Sequence, residues 1–84
     1  MITVRLPTML RGEDGADEIL VQEGVANVGQ LVAALDRMRP GLAERLRDSL
    51  YNFAVNDALI LHRADDYPLA HGDIVEVIPT VAGG

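Results

Sequence analysis

The 84-residue sequence predicts an α+β fold: a mixed sheet of four to five strands with one main helix packed on one face and a short second helix. Two segments, one near each end, alternate or cluster β-branched residues as a strand does. One internal segment repeats apolar residues at helical spacing. The only other helical stretch is too short to form a second full layer.

The first strand is Ile2-Thr3-Val4-Arg5-Leu6, with Ile2, Val4 and Leu6 on one face. Pro7 weakens pairing beyond it, because proline has no N–H to donate. Residues Leu10 to Asp17 hold two glycines and three acids and read as a loop. Glu18 to Glu23 is the second strand, with Ile19 and Val21 turned to the core; a hairpin with the first is the simplest pairing. Asn27 is a good N-cap, since its side-chain oxygen can accept a free helix amide. Val28, Leu31, Val32, Leu35 and Met38 then line one helix face. Arg37 and Arg39 lie where cations favour the helix dipole, and Pro40-Gly41 ends the helix. Leu42 to Ser49 is the short second helix, with Leu42 and Leu46 inward.

Tyr51, Phe53 and Val55 alternate with Asn52, Ala54 and Asn56 in a third strand, and Asn56-Asp57 is a turn. Ala58 to Leu61 is a shorter strand. Arg63 to Pro68 is polar and irregular, and His71-Gly72-Asp73 is a turn. Ile74 to Ile78 closes the sheet, with Val75 and Val77 toward the helix and Ile74 and Ile78 away from it. Placing the first and last strands side by side in the centre makes them parallel, a β-grasp arrangement. A ferredoxin-like fold would need a second full helix.

Composition narrows the function. The chain contains no cysteine, which excludes disulfides, thiolate metal sites and a cysteine nucleophile. All seven basic residues are arginine, which excludes the lysine of a P-loop and any Schiff base. Thirteen acids against seven arginines give a net charge of −6, which disfavours nucleic acid and suits a basic protein partner. No apolar run approaches the roughly 18 residues of a membrane span, and the N-terminus lacks a signal-peptide pattern, so a cytoplasmic, non-membrane protein is expected.

No catalytic constellation emerges. His62 and His71 have no second ligand at metal spacing, so no metal is expected. Asp65-Asp66 and Glu13-Asp14 read as solvated loop charge, and Ser49 has no histidine nearby in sequence. The C-terminus differs. Val81-Ala82-Gly83-Gly84 follows directly on the last strand and Pro79. A terminal Gly-Gly arises by chance in roughly 0.5% of chains. The expected organisation is a folded domain over 1–79 and a flexible tail over 80–84. Five extended residues reach about 17 Å, enough to enter another protein's active site. Glycine has no Cβ, so the arm can pass a narrow tunnel, and Gly84 presents an unhindered carboxylate.

The sequence resembles the MoaD/ThiS family of ubiquitin-like sulfur carriers. The resemblance is carried by the strand order, by Val55-Asn56, by Leu69 with His71-Gly72-Asp73, and above all by the ending from Val75 through Pro79 to Gly83-Gly84. It implies that Gly84 is adenylated by an E1-like enzyme of the MoeB/ThiF type and converted to a thiocarboxylate. It implies that Val81, Ala82 and Gly83 thread into the partner's active site, and that Leu59 and Ile78 dock partners. The chain would be a sulfur-carrying co-substrate rather than an enzyme, or the small subunit of a sulfurtransferase such as molybdopterin synthase. It would bind no cofactor itself, with ATP used by the activating enzyme. Pro7-Thr8-x-Leu10-Arg11, Glu44-Arg45-Leu46 with Asp48, and the Val-Ala-Gly-Gly tail resemble the carrier of an alternative cysteine route. Val77 and Ile78 stand where the molybdopterin branch often has phenylalanine. The sulfur acceptor would be a cysteine synthase-like enzyme or the molybdopterin synthase large subunit, with thiamine-type carriers ranked third. Two other classes stay open: a ubiquitin-like modifier forming isopeptides with target lysines, and a plain β-grasp interaction module.

Overall fold

The computed structural model describes residues 1–12, 15–47 and 51–80. Five strands form one sheet: β1 (Ile2–Arg5), β2 (Glu18–Val21), β3 (Tyr51–Val55), β4 (Ala58–Ile60) and β5 (Ile74–Pro79). Their order is β2-β1-β5-β3-β4. β1 and β5 pair in parallel, with Val4 opposite Val75, and the other neighbours are antiparallel. This is the expected arrangement, with β5 at the centre. The radius of gyration is 11.8 Å.

Helix α1 (Val28–Met38) covers one sheet face, and α2 (Leu42–Leu46) follows after a break at Gly41, whose φ of 95° favours glycine. The core joins Ile2, Val4, Val21, Phe53, Val55, Val75 and Val77 of the sheet to Val28, Leu31, Val32 and Leu35 of α1 and to Leu42 and Leu46 of α2. The buried set holds no charged or polar residue among those described. Ile19 is half-buried and packs against this core.

The structure corrects the sequence reading in four places. Met38, the last residue of α1, is 54% exposed and is not among the helix's buried residues. Leu10 is fully buried, and Thr8–Leu10 forms a 3-10 turn where a plain loop was expected. Arg39 and Arg45 hold that turn by donating to the carbonyls of Leu10 and Met9. Strand pairing runs through Pro79, opposite Tyr51, instead of stopping before it. Ile74 directs both its N–H and its C=O toward Asn56, so alternate residues of β5 bond toward β3. Pro79 falls on the other parity, where its missing N–H faces the side on which β1 has already ended at Arg5. Finally, β2 and β4 are shorter than read, stopping at Val21 and Ile60. The expected end of the second helix, at Asp48 and Ser49, lies outside the described residues.

The start of α1 is held by a reciprocal cap. Asn27 Oδ1 accepts from Gln30 N at 2.8 Å, while Gln30 Oε1 accepts from Ala26 N at 2.7 Å. Replacing Asn27 with alanine leaves a helix amide without its acceptor. Asn27→Ala should lower unfolding stability by about 1 kcal/mol in urea titrations, with the slope unchanged.

Candidate functional site: the outer sheet face and the end of the central strand

β5 alternates strictly: Val75 and Val77 are buried, while Ile74, Glu76 and Ile78 lie on the face opposite the helices. The cross-strand register extends this outer face in rows. One row is Leu20, Thr3 and Ile74; the next is Glu18, Arg5, Glu76, Ala54 and Leu59; Ile78 and Asn52 form a third. Leu59 and Ile78, the predicted docking residues, therefore share one face. They stand two strands and one row apart, about 12 Å. Leu59 is 51% exposed and Ile78 half-buried. Leu20 and Ile74 add exposed apolar surface to the same face.

The polar chemistry of this face was not anticipated. Arg5 Nε pairs with Glu18 Oε2 at 3.1 Å, on the side of β2. Glu76, its other neighbour in the row, is half-buried and has no ion pair or side-chain hydrogen bond among the described residues. The signal was available in Ile74-x-Glu76-x-Ile78, where the alternation that turns the isoleucines outward turns the glutamate with them. Beside it, where β1 has ended and β5 continues, lies a hollow of about 250 Å³ lined by Arg5, Pro7, Glu76, Ile78 and Pro79 among others.

The other end of β5 is fastened by a polar clamp. Asn56 and Asp57 have φ of 49° and 72° and form the tight turn between β3 and β4. Asn56 Oδ1 accepts from Ile74 N at 2.9 Å, and Asn56 Nδ2 donates to Asp73 Oδ1 at 2.9 Å. Asp73 Oδ2 accepts from Ala70 N at 2.8 Å. These bonds to the ionised carboxylate, the backbone amide first and the Asn56 amide second, hold its pKa below the ordinary aspartate value. The turn motifs picked out in the sequence thus set where β5 begins, and hence where its far end delivers the chain.

The remaining candidates carry no chemistry of their own. Asp65 and Asp66 pair with Arg47 and Arg63. His71 Nδ1 contacts the N-terminal amine, and His62 is exposed. No group of three or more potential metal ligands occurs among the described residues, and no helix there is long and apolar enough to cross a membrane. Val81, Ala82, Gly83 and Gly84 lie outside the described residues, as do Glu13, Asp14 and Ser49. The tail of the expected 80–84 segment is thus described only at Thr80, in a bend directly after β5.

Comparison with known proteins bears on the family and the fold. The ThiS family model matches residues 4–84. The sulfur carrier protein CysO of Mycobacterium tuberculosis is 30% identical over 92 residues, covering 99% of this chain and 98% of the relative. Among solved structures, a chain of the Amycolatopsis orientalis BexX/CysO complex matches with a TM-score of 0.84 and 25% identity over the full length of both chains. A chain of the complex of subunits 1 and 2 of molybdopterin-converting factor from Helicobacter pylori matches with a TM-score of 0.62 and 25% identity, covering 99% of this chain and 97% of that one.

The clamp makes a pH prediction. Because the folded state lowers the Asp73 pKa, its contribution to stability is complete above the ordinary value of about 3.9 and is lost as pH falls through the lower folded value. Asp73→Asn cannot accept at both positions. Its melting temperature should fall below wild type at pH 7, and the gap should close as the pH drops well below 4.

Proposed function

The chain belongs to the ThiS family, and on that premise we propose that it is a sulfur carrier whose Gly84 is the covalent site. The reading rests on one observation above all: the family match runs through Gly84, only five residues beyond a β5 that occupies the centre of the sheet. β5 is bonded to β1 as far as Glu76 and to β3 as far as Pro79, a fixed base from which the last residues can be presented. Their reach of about 17 Å suits a buried active site in another protein.

The chemistry follows from what the chain lacks. A carboxylate resists nucleophilic attack, so it needs a better leaving group. An E1-like enzyme of the MoeB/ThiF type supplies ATP: the Gly84 carboxylate oxygen attacks the α-phosphorus, pyrophosphate departs, and an acyl-adenylate forms. Hydrosulfide then attacks the acyl carbon, a C–S bond forms, the C–O bond to AMP breaks, and the proton passes to solvent. The product is a C-terminal thiocarboxylate. With no cysteine and no lysine, this chain supplies neither the sulfur nucleophile nor the phosphate-binding lysine. It is carrier and co-substrate, and dependence on ATP for activation favours the cytoplasm.

Val81, Ala82 and Gly83 thread the partner's channel, while Leu59 and Ile78 seat the body against it. The likeness to CysO at 30% identity over nearly the whole chain favours a cysteine-type pathway with a cysteine synthase-like acceptor. The weaker structural likeness to the molybdopterin-converting factor complex supports the second reading, as the small subunit of a molybdopterin synthase.

Intact-mass measurement tests the proposal. After incubation with ATP, the organism's own E1-like enzyme and sulfide, the protein should gain the mass difference of one oxygen-for-sulfur exchange. Deleting Gly83 and Gly84 should abolish that gain and leave the melting temperature unchanged. Sulfur uptake by the truncated form would overturn the assignment of Gly84.

A further inference from the structure

We propose that the protein partner docking on the outer sheet face inserts a basic side chain, arginine or lysine, into the hollow beside Glu76. The inference deepens the sulfur-carrier reading, on which it rests for the identity of the docking partner.

The argument begins with an imbalance of charge within one row. Glu18, Arg5 and Glu76 stand side by side across β2, β1 and β5. One guanidinium serves two carboxylates, and it is committed to Glu18 at 3.1 Å. Glu76 is left over, half-buried, with Ile74 and Ile78 two residues away along the strand and Ala54 across from it. In the free protein water can solvate that carboxylate. A partner seated on Leu59 and Ile78 would cover Glu76 as well, since Ala54 alone separates Leu59 from Glu76 in the row. An apolar cover would strip its water and return nothing, which strongly opposes binding. A cation in the partner's surface turns the same group into an attachment point.

The shape of the surface selects the side chain. β1 ends at Arg5 while β5 continues to Pro79, which leaves a hollow of about 250 Å³ on that side. Pro7, Ile78 and Pro79 offer apolar wall and Glu76 offers the charge, while Arg5, also in the lining, directs its Nε to Glu18 on the β2 side. An aliphatic stem with a charged tip, as in lysine or arginine, meets both requirements. The net charge of −6 draws a basic partner from a distance, and Glu76 determines where its cation seats.

The test measures binding of the full chain to the organism's E1-like adenylating enzyme by calorimetry at low and high salt. Glu76→Gln, Glu18→Gln and Arg5→Gln each alter one member of the row, and unchanged melting temperatures verify their folding. Glu76→Gln should weaken binding at least about tenfold, and the loss should persist at high salt, as for a desolvated pair. Glu18→Gln changes the net charge equally and should shift affinity far less, and only at low salt. Arg5→Gln should leave affinity within about twofold, because the counter-ion comes from the partner. Loss with Glu76→Gln no larger than with Glu18→Gln would overturn the inference and leave the carrier reading standing. An equal loss with Arg5→Gln would do the same, by making Arg5 the counter-ion. If the wild-type chain is neither bound nor adenylated, both fall together.

Discussion

The structure depends on the register of its central strand. β5 has a period of two, with Val75 and Val77 inward and Ile74, Glu76 and Ile78 outward. A slip of one residue would bury a glutamate and expose two core valines, so the penalty for misalignment falls on every position at once. Two neighbours enforce the alignment, β1 in parallel and β3 antiparallel. The Asn56–Asp73 clamp fixes the first residue of the strand. With one end fixed and the pitch of a strand known, the position of Pro79 at the other end is determined. The role proposed for the last residues would need that kind of certainty in the residues just before them.

The two faces of the sheet divide the labour. The inner face is wholly apolar and provides the stability, without a buried polar group to satisfy among the described residues. The outer face mixes leucine and isoleucine with one ion pair and one unmatched carboxylate. Most of the arginines serve the body of the fold. Arg37 pairs with Glu23, Arg47 with Asp65 and Arg63 with Asp66, all at the exposed surface where each pair contributes at most about 1 kcal/mol. Positive charge is thereby consumed in local contacts, and the surplus of acid is what a visiting protein encounters.

Much of this was legible in the sequence, because strands and helices write their period into the order of apolar residues. The inward set of β1, β3 and β5, the Asn27 cap and the break at Pro40-Gly41 all follow from local chemistry. The misreadings share a cause. Leu10 follows no strand or helix period, and its turn is held by Arg39 and Arg45, about thirty residues away in sequence. Met38 continues the helical spacing yet is exposed, as the last residue of α1. Pro79 is harmless only because its neighbour on one side has stopped. Each is decided by which element lies opposite, a fact that no local pattern records. Glu76 was visible as a residue, while its lack of a partner became evident only once Arg5 was seen turned toward Glu18.

The turn at Thr8–Leu10 is gripped through its carbonyl oxygens, which every amino acid provides. The identity of its exposed middle residue, Met9, is therefore of little consequence to the grip. In a polypeptide devoid of thiols, a single cysteine at that position would accept a fluorophore cleanly. Such a reporter would sit on a turn fastened by two residues of the helical layer, Arg39 and Arg45.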